Sequence, residues 1–169
     1  MDKLHYLTEE EFDHLASAIA DTRDRAIFEC LFSSGMRISE LLGVSRALVD
    51  GTRSNTLELS IIGKGKKRRT VYLSGRALKV CRAYLATRKD SDTRLFPVLA
   101  RTVQYMMKRY DPRLHPHVLR HSFATHLLDK GVNLYHVKEM CGHASIVTTQ
   151  KYLHYANATL KDIHKKIYK

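Results

Sequence analysis

No stretch of about 18 consecutive apolar residues occurs in these 169 residues, so no segment is fit to cross a bilayer as a helix. The opening MDKLHYLTEEEF has no apolar core of the kind a secretory signal needs. Cysteine is scarce. Cys30, Cys81 and Cys141 are odd in number, far apart and outside any CxxC pair, which excludes a disulfide framework and a Cys-pair zinc clip. These absences predict a cytoplasmic protein with reduced thiols. Proline is equally rare, and Pro97, Pro112 and Pro116 interrupt no periodic segment. Low-complexity tracts, internal repeats and Pro/Gly-rich linkers are missing too. Negative charge is in deficit: 17 acidic residues face 29 Lys and Arg, a net charge of +12. Such an excess favours a polyanionic partner, nucleic acid or an anionic membrane face. What is present is apolar residues, 44% of the chain, enough to bury the core of one ordinary domain.

The periodicity predicts a mostly α chain with one small antiparallel sheet, an α+β fold. Thr8 and Glu11 make a capping box ahead of Phe12, Leu15, Ala16 and Ile19 at helical spacing. Asp21 with Asp24 offers a second N-cap, and Gly35 can end the helix that follows. A short helix starts near Ser39. Segments 56–62 and 70–73 alternate like strands, and GKGKKRR between them predicts a β-hairpin. Ser74 caps a helix through Leu85, and 102–109 is helical. Pro116 opens a strong helix over 117–130 that Gly131 closes. Shorter helices are expected over 134–140 and 145–155. An amphipathic piece over 160–167 carries Leu160, Ile163 and Ile167.

Five segments place basic or nucleophilic residues beside a turn or at a helix start. They are SGMRISE around Arg37, GKGKKRR around Lys64, HVLRH over 117–121, Gly142-His143, and TTQKYLH around Tyr152. Singly, each has a bland reading. Arg37 and Glu40 make an ordinary surface ion pair, GKGKKRR a solvated hairpin tip, Gly-His a turn, and Tyr152 a packing residue with Tyr155 equally placed. His115, His117, His121 and His126 cluster, but no HExxH, Cys pair or carboxylate group accompanies them, so no metal is assigned.

Together and in this order, SGMRISELL, IIGKGKKRRTVYL, HPHVLRHSFATHLL, CGHAS and TTQKYLH resemble the catalytic domain of the tyrosine recombinase, or phage integrase, superfamily. The likeness is to its Xer-like members and runs from about Leu7 to Tyr155. Cys141 departs from the Leu usual before Gly-His, a tolerable packing swap. The resemblance implies a single catalytic domain over 1–169 without the N-terminal core-binding domain of typical relatives, either a segment of a longer protein or a minimal member. It implies a site-specific recombinase that cleaves and rejoins DNA through a 3′-phosphotyrosyl link, with no metal, ATP or other cofactor. Tyr152 matches the nucleophile, and Arg37 and Arg120 match the phosphate-clamping pair. His117 matches the general acid/base, His143 a phosphate hydrogen-bond donor, and Lys64 the acid for the departing 5′-oxygen. Glu40 orients Arg37 or His117. Lys66, Lys67, Arg68 and Arg69 are DNA-backbone contacts, His121 packs beneath the site, and His154 is structural.

The implied partners are double-stranded DNA and other copies of the chain, a monomer alone and a tetramer on the DNA synapse, with no membrane. Leu160, Ile163 and Ile167 dock either in trans or on their own core. A type IB-like topoisomerase, a catalytically silent DNA-binding module and a metal-dependent nuclease are the competing readings. Plasmid relaxation, absence of a covalent adduct and sensitivity to EDTA would distinguish them.

Overall fold

The computed structural model describes residues 6–63 and 68–153. The described chain runs α1 (Glu9–Ala18), α2 (Thr22–Ser34), α3 (Ile38–Leu41), α4 (Arg46–Gly51), β1 (Leu57–Ile62) and β2 (Arg68–Leu73). It continues through α5 (Gly75–Thr87), α6 (Ala100–Tyr110), α7 (Pro116–Asp129), α8 (Leu134–Cys141) and α9 (Ile146–Gln150). The expected mostly helical α+β architecture is what the chain adopts. Lys64, Lys66, Lys67, His154, Tyr155 and the stripe of Leu160, Ile163 and Ile167 lie outside the described residues. Among the described residues no helix is long and apolar enough to cross a membrane.

Local chemistry sets the element ends. The Thr8 hydroxyl accepts from the Glu11 amide at 3.1 Å while the Glu11 carboxylate accepts from the Thr8 amide at 2.8 Å, the reciprocal cap that starts α1. Asp21 caps α2 through the Asp24 amide, and Ser74 caps α5 through Ala77. Gly131, with φ of 78°, turns the chain out of α7, and the Val132 amide reaches back to the Leu127 carbonyl at 2.9 Å. β1 and β2 pair antiparallel in the register Leu57↔Leu73 and Leu59↔Val71, so these four side chains point together into the core.

The structure differs from the sequence-based expectation at two places. α4 was not anticipated, because RALVDG is too short for a helical period to stand out. The last described helix stops at Gln150, and residues 151–153 form a turn held by the Tyr152 amide to Thr149 carbonyl bond. Ile146, Val147, Thr148 and Thr149 are all β-branched, which weakens a helix over this stretch.

Two apolar clusters hold the molecule. The larger gathers α1 to α6 and the hairpin around Phe12, Phe28, Leu31, Leu78, Phe96 and Met107. Within it Cys30 of α2 and Cys81 of α5 lie sulfur to sulfur at 3.3 Å as free thiols. The smaller joins Phe123, Ala124 and Leu128 to Val137, Cys141 and Tyr152. α7 belongs to both, because Val118 and Leu119 face the first cluster and Phe123 and Ala124 the second. It is therefore buried along much of its length, with Arg120 buried, His121 half-buried and His117 exposed on its first turn.

Candidate active site

Arg37 leaves the end of α2 through a forced turn. Gly35 takes the left-handed conformation with φ of 61°, and a Cβ there would collide with the Phe123 ring. Met36 is fully buried behind it, which leaves Arg37 as the N-cap of α3. Its amide donates to Glu40 Oε2 at 2.6 Å, its Nη1 to Glu40 Oε1 at 3.0 Å and its Nη2 to the Gly142 carbonyl at 3.3 Å.

Glu40 is only 6% exposed at its side chain and also receives both terminal nitrogens of Arg69, each at 2.8 Å. Burial alone would push the Glu40 carboxyl up. The bonds from Arg69 and Arg37 outweigh it and hold the group below its ordinary value. Arg69 donates a further bond from Nε to the Met140 carbonyl at 3.1 Å. Its guanidinium is thus committed inside the protein rather than facing solvent as a DNA-backbone contact, while Arg68 on the same strand is exposed. Glu40 takes Arg37 and Arg69 as its partners, and not His117.

Arg120 lies on α7, 4% exposed, with Nη1 donating to the Gly35 carbonyl at 2.5 Å and Nη2 to the Cys141 carbonyl. Burial lowers its pKa, partly countered by Cys141, with Arg37 and Arg69 adding to the fall. Arg37 and Arg120 therefore meet at consecutive carbonyls, Gly142 and Cys141, where α8 ends. Gly142 is left-handed at φ of 62°, with the Arg69 stem against the place a Cβ would take. That turn throws His143 back toward the arginines, fixed by its amide to the Lys138 carbonyl at 3.0 Å.

The His143 Nδ1 sits 2.8 Å from the Thr149 hydroxyl, and its ring lies parallel to that of Tyr152, centroids 6.0 Å apart. Burial, then Arg120 and Arg37, lower its pKa to about 4, so the imidazole is neutral at pH 7. Tyr152 is 4% exposed, and burial pushes its phenol up to about 12. Its Oη is 2.7 Å from Nδ1 of His121. His117 is exposed on the first turn of α7, its ring centre 6.4 Å from that of His121.

Arg37, Glu40, Arg120, His143 and Tyr152 thus converge, with His117 at the rim. The chain leading to Lys64 enters at the same place: Gly63 lies against the Arg69, Glu40 and Arg37 side chains. Sequence reasoning made Arg69 a DNA-backbone contact and set His121 beneath the site, and it missed the contacts of Arg69 with Glu40, His121 with Tyr152 and Thr149 with His143. The four-residue spacing of His117 and His121 was the available signal for a shared helix face. Among the described residues no group of three or more His, Cys, Asp or Glu is arranged to hold a metal ion.

The sequence profile of the phage integrase family matches residues 5–159. The chain belongs to the phage integrase family. Its relatives in that family include the tyrosine recombinase XerC of Chlorobaculum parvum, 37% identical, with 85% of this chain and 48% of that protein covered. The tyrosine recombinase XerA of Thermococcus onnurineus is 38% identical over 86% of this chain and 56% of its own length. The chain therefore spans about half the length of these curated relatives. Among solved structures, XerA recombinase superposes with a TM-score of 0.71 at 30% identity, covering 95% of this chain and 63% of that one. The catalytic domain of bacteriophage HP1 integrase superposes at 0.68 with 26% identity, and there the two chains coincide over 96% and 95%. The family fold is thus shared over nearly the whole described chain.

Proposed function

We propose that this domain cleaves and rejoins duplex DNA as a site-specific recombinase. In the reaction Tyr152 Oη attacks a backbone phosphorus, an O–P bond forms, and the P–O5′ bond breaks to leave a 3′-phosphotyrosyl link. The link is again a phosphodiester, so reversal by a 5′-hydroxyl needs no ATP. The observation that carries this reading is the meeting of two guanidiniums, Arg37 and Arg120, with the His143 imidazole beside a single buried phenol.

Each group suits its part. Guanidinium is planar, permanently charged and bidentate, which matches the equatorial oxygens of a pentacoordinate phosphorus. Removing one such donor costs about 3 kcal/mol of transition-state stabilisation. Glu40 anchors Arg37 through both its amide and its guanidinium. With its Nδ1 on Thr149, His143 has Nε2 left to donate to a phosphate oxygen. His117 at the rim serves as acid and base, and Lys64 is the acid for the O5′ leaving group, an ammonium being able to give up a proton where Arg cannot. Arg68, Lys66 and Lys67 are placed by sequence near the hairpin end as backbone contacts, in keeping with the net charge of +12. Synapsis joins four copies on DNA, and the isolated domain is a monomer.

The test is capture of covalent adducts from a library of nicked duplexes with randomised arms, read on denaturing gels. The wild type yields an adduct in the presence of EDTA, and Tyr152→Phe yields none. An adduct that persists in Tyr152→Phe and vanishes in Tyr155→Phe would overturn the assignment.

A further inference from the structure

We propose that Thr149 is a positioning residue that fixes which nitrogen of His143 carries the proton and so keeps the Nε2–H available to the scissile phosphate, an inference that rests on the function proposed above. A phosphodiester oxygen only accepts hydrogen bonds. A neutral imidazole therefore serves it through one tautomer alone, the one with its proton on the nitrogen that meets the ester. Burial first, then Arg120 and Arg37, hold His143 at about 4, so at pH 7 the ring has a single proton and two places for it. The partner of the other nitrogen makes that choice. For His143 this partner is Thr149, with 2.8 Å between Nδ1 and Oγ1.

At this distance the bond could run in either direction, and burial selects one. Thr149 is fully buried in the last turn of α9, whereas Thr148 beside it is exposed and can bond to water. Among the described residues, the hydroxyl of Thr149 has the His143 ring as its one hydrogen-bond partner. If Nδ1 held the proton and donated, the hydroxyl proton would be left buried without an acceptor, which is costly. With Thr149 donating, the hydroxyl proton and the Nδ1 lone pair satisfy each other, and the ring proton sits on Nε2.

Thr149 also ties this ring to the nucleophile. Its carbonyl accepts from the Tyr152 amide at 3.0 Å, and the Tyr152 ring lies within 11° of parallel to that of His143. One residue thus holds the imidazole by its side chain and the turn that carries the phenol by its main chain. Acid and base work stays with His117 and Lys64.

Thr149→Val tests this, because it keeps the shape and the main-chain bond and removes only the hydroxyl. ¹⁵N spectra of the histidines, taken at pH 7 without DNA, read the tautomer directly. His143 in the wild type and in Thr149→Ser has its proton on Nε2 and an unprotonated Nδ1; in Thr149→Val the two tautomers mix. A wild-type His143 protonated at Nδ1, or an unmixed Nε2–H form in Thr149→Val, overturns the proposal whatever the DNA does. With a substrate captured from the randomised library, Thr149→Val forms adduct roughly ten- to a hundredfold more slowly, the loss typical when the group that orients a working imidazole is removed. Thr149→Ser restores most of the rate. In a His143→Ala background Thr149→Val costs nothing further, because no imidazole is left to orient. A merely structural role multiplies the two losses instead, and that result overturns the proposal while leaving the recombinase reading intact. A wild type that gives no adduct overturns the recombinase reading, and the spectra then still decide the tautomer.

Discussion

Glu40 shows how one carboxylate positions a site that it never needs to touch. It accepts from the Arg37 amide, the Arg37 guanidinium and both ends of Arg69, so one negative charge is shared by two guanidiniums in a largely buried spot. Removing one partner of such a pair leaves the other charge uncompensated, at a cost of about 3 to 5 kcal/mol. Arg37 is 30% exposed and can recruit water, which puts the expectation at the low end. Glu40→Ala should therefore lose about 3 kcal/mol in chemical denaturation and release Arg37 from its angle. An unchanged denaturation midpoint would show that the cluster contributes nothing net to stability.

At the scale of elements, two left-handed glycines, Gly35 and Gly142, set the turns that lead into Arg37 and His143. Gly35 ends α2 with φ of 61° and lies against the Phe123 ring, so any Cβ both strains the backbone and displaces a residue of the smaller cluster. Gly35→Ala should cost about 2 kcal/mol or more, a fall in melting temperature of roughly 4 to 8 °C for a domain of this size. Gly51, at the end of α4, is the control: a Cβ there meets nothing within 4 Å. Gly51→Ala should be neutral or slightly stabilising by calorimetry, and equal losses at the two positions would contradict the packing argument. α7 is the element on which everything converges. Its residues serve both apolar clusters, and it carries Arg120 and His121 to the site.

For the whole molecule, the buried imidazoles couple folding to acidity. His121 and His143 each have a folded pKa of about 4, below the ordinary value of 6.5. Between those values the unfolded chain holds more protons than the folded one, so stability falls as pH drops from 6.5 toward 4. The Glu40 carboxyl, also held low, loses its contribution only as pH falls further, through its own folded pKa. The melting temperature should decline first across the histidine window, and the doubly substituted His121→Asn/His143→Asn protein should have a flatter curve there. An unaltered slope in that protein would show the imidazoles to be solvated in the folded state.

Caps, the hairpin, the closing glycines of α2 and α7 and the five motifs could all be read along the chain. Each depends on residues within a few positions of one another, where backbone geometry and side-chain reach set the outcome. α4 was too brief to show a period, and the end of α9 turned on β-branched residues whose effect is small until packing decides it. The partners of Glu40 and Tyr152 were beyond such reading. Arg69 is 29 positions from Glu40 and His121 is 31 from Tyr152, so either pair exists only once α3, β2, α7 and α9 have taken their places. The motifs determined what chemistry the chain could hold, because residue type sets charge, basicity and nucleophilicity. Which arginine is buried, which faces solvent, and which histidine meets the phenol were decided by tertiary packing, since long-range contacts are selected by the burial of whole helices and not by the residues they happen to carry.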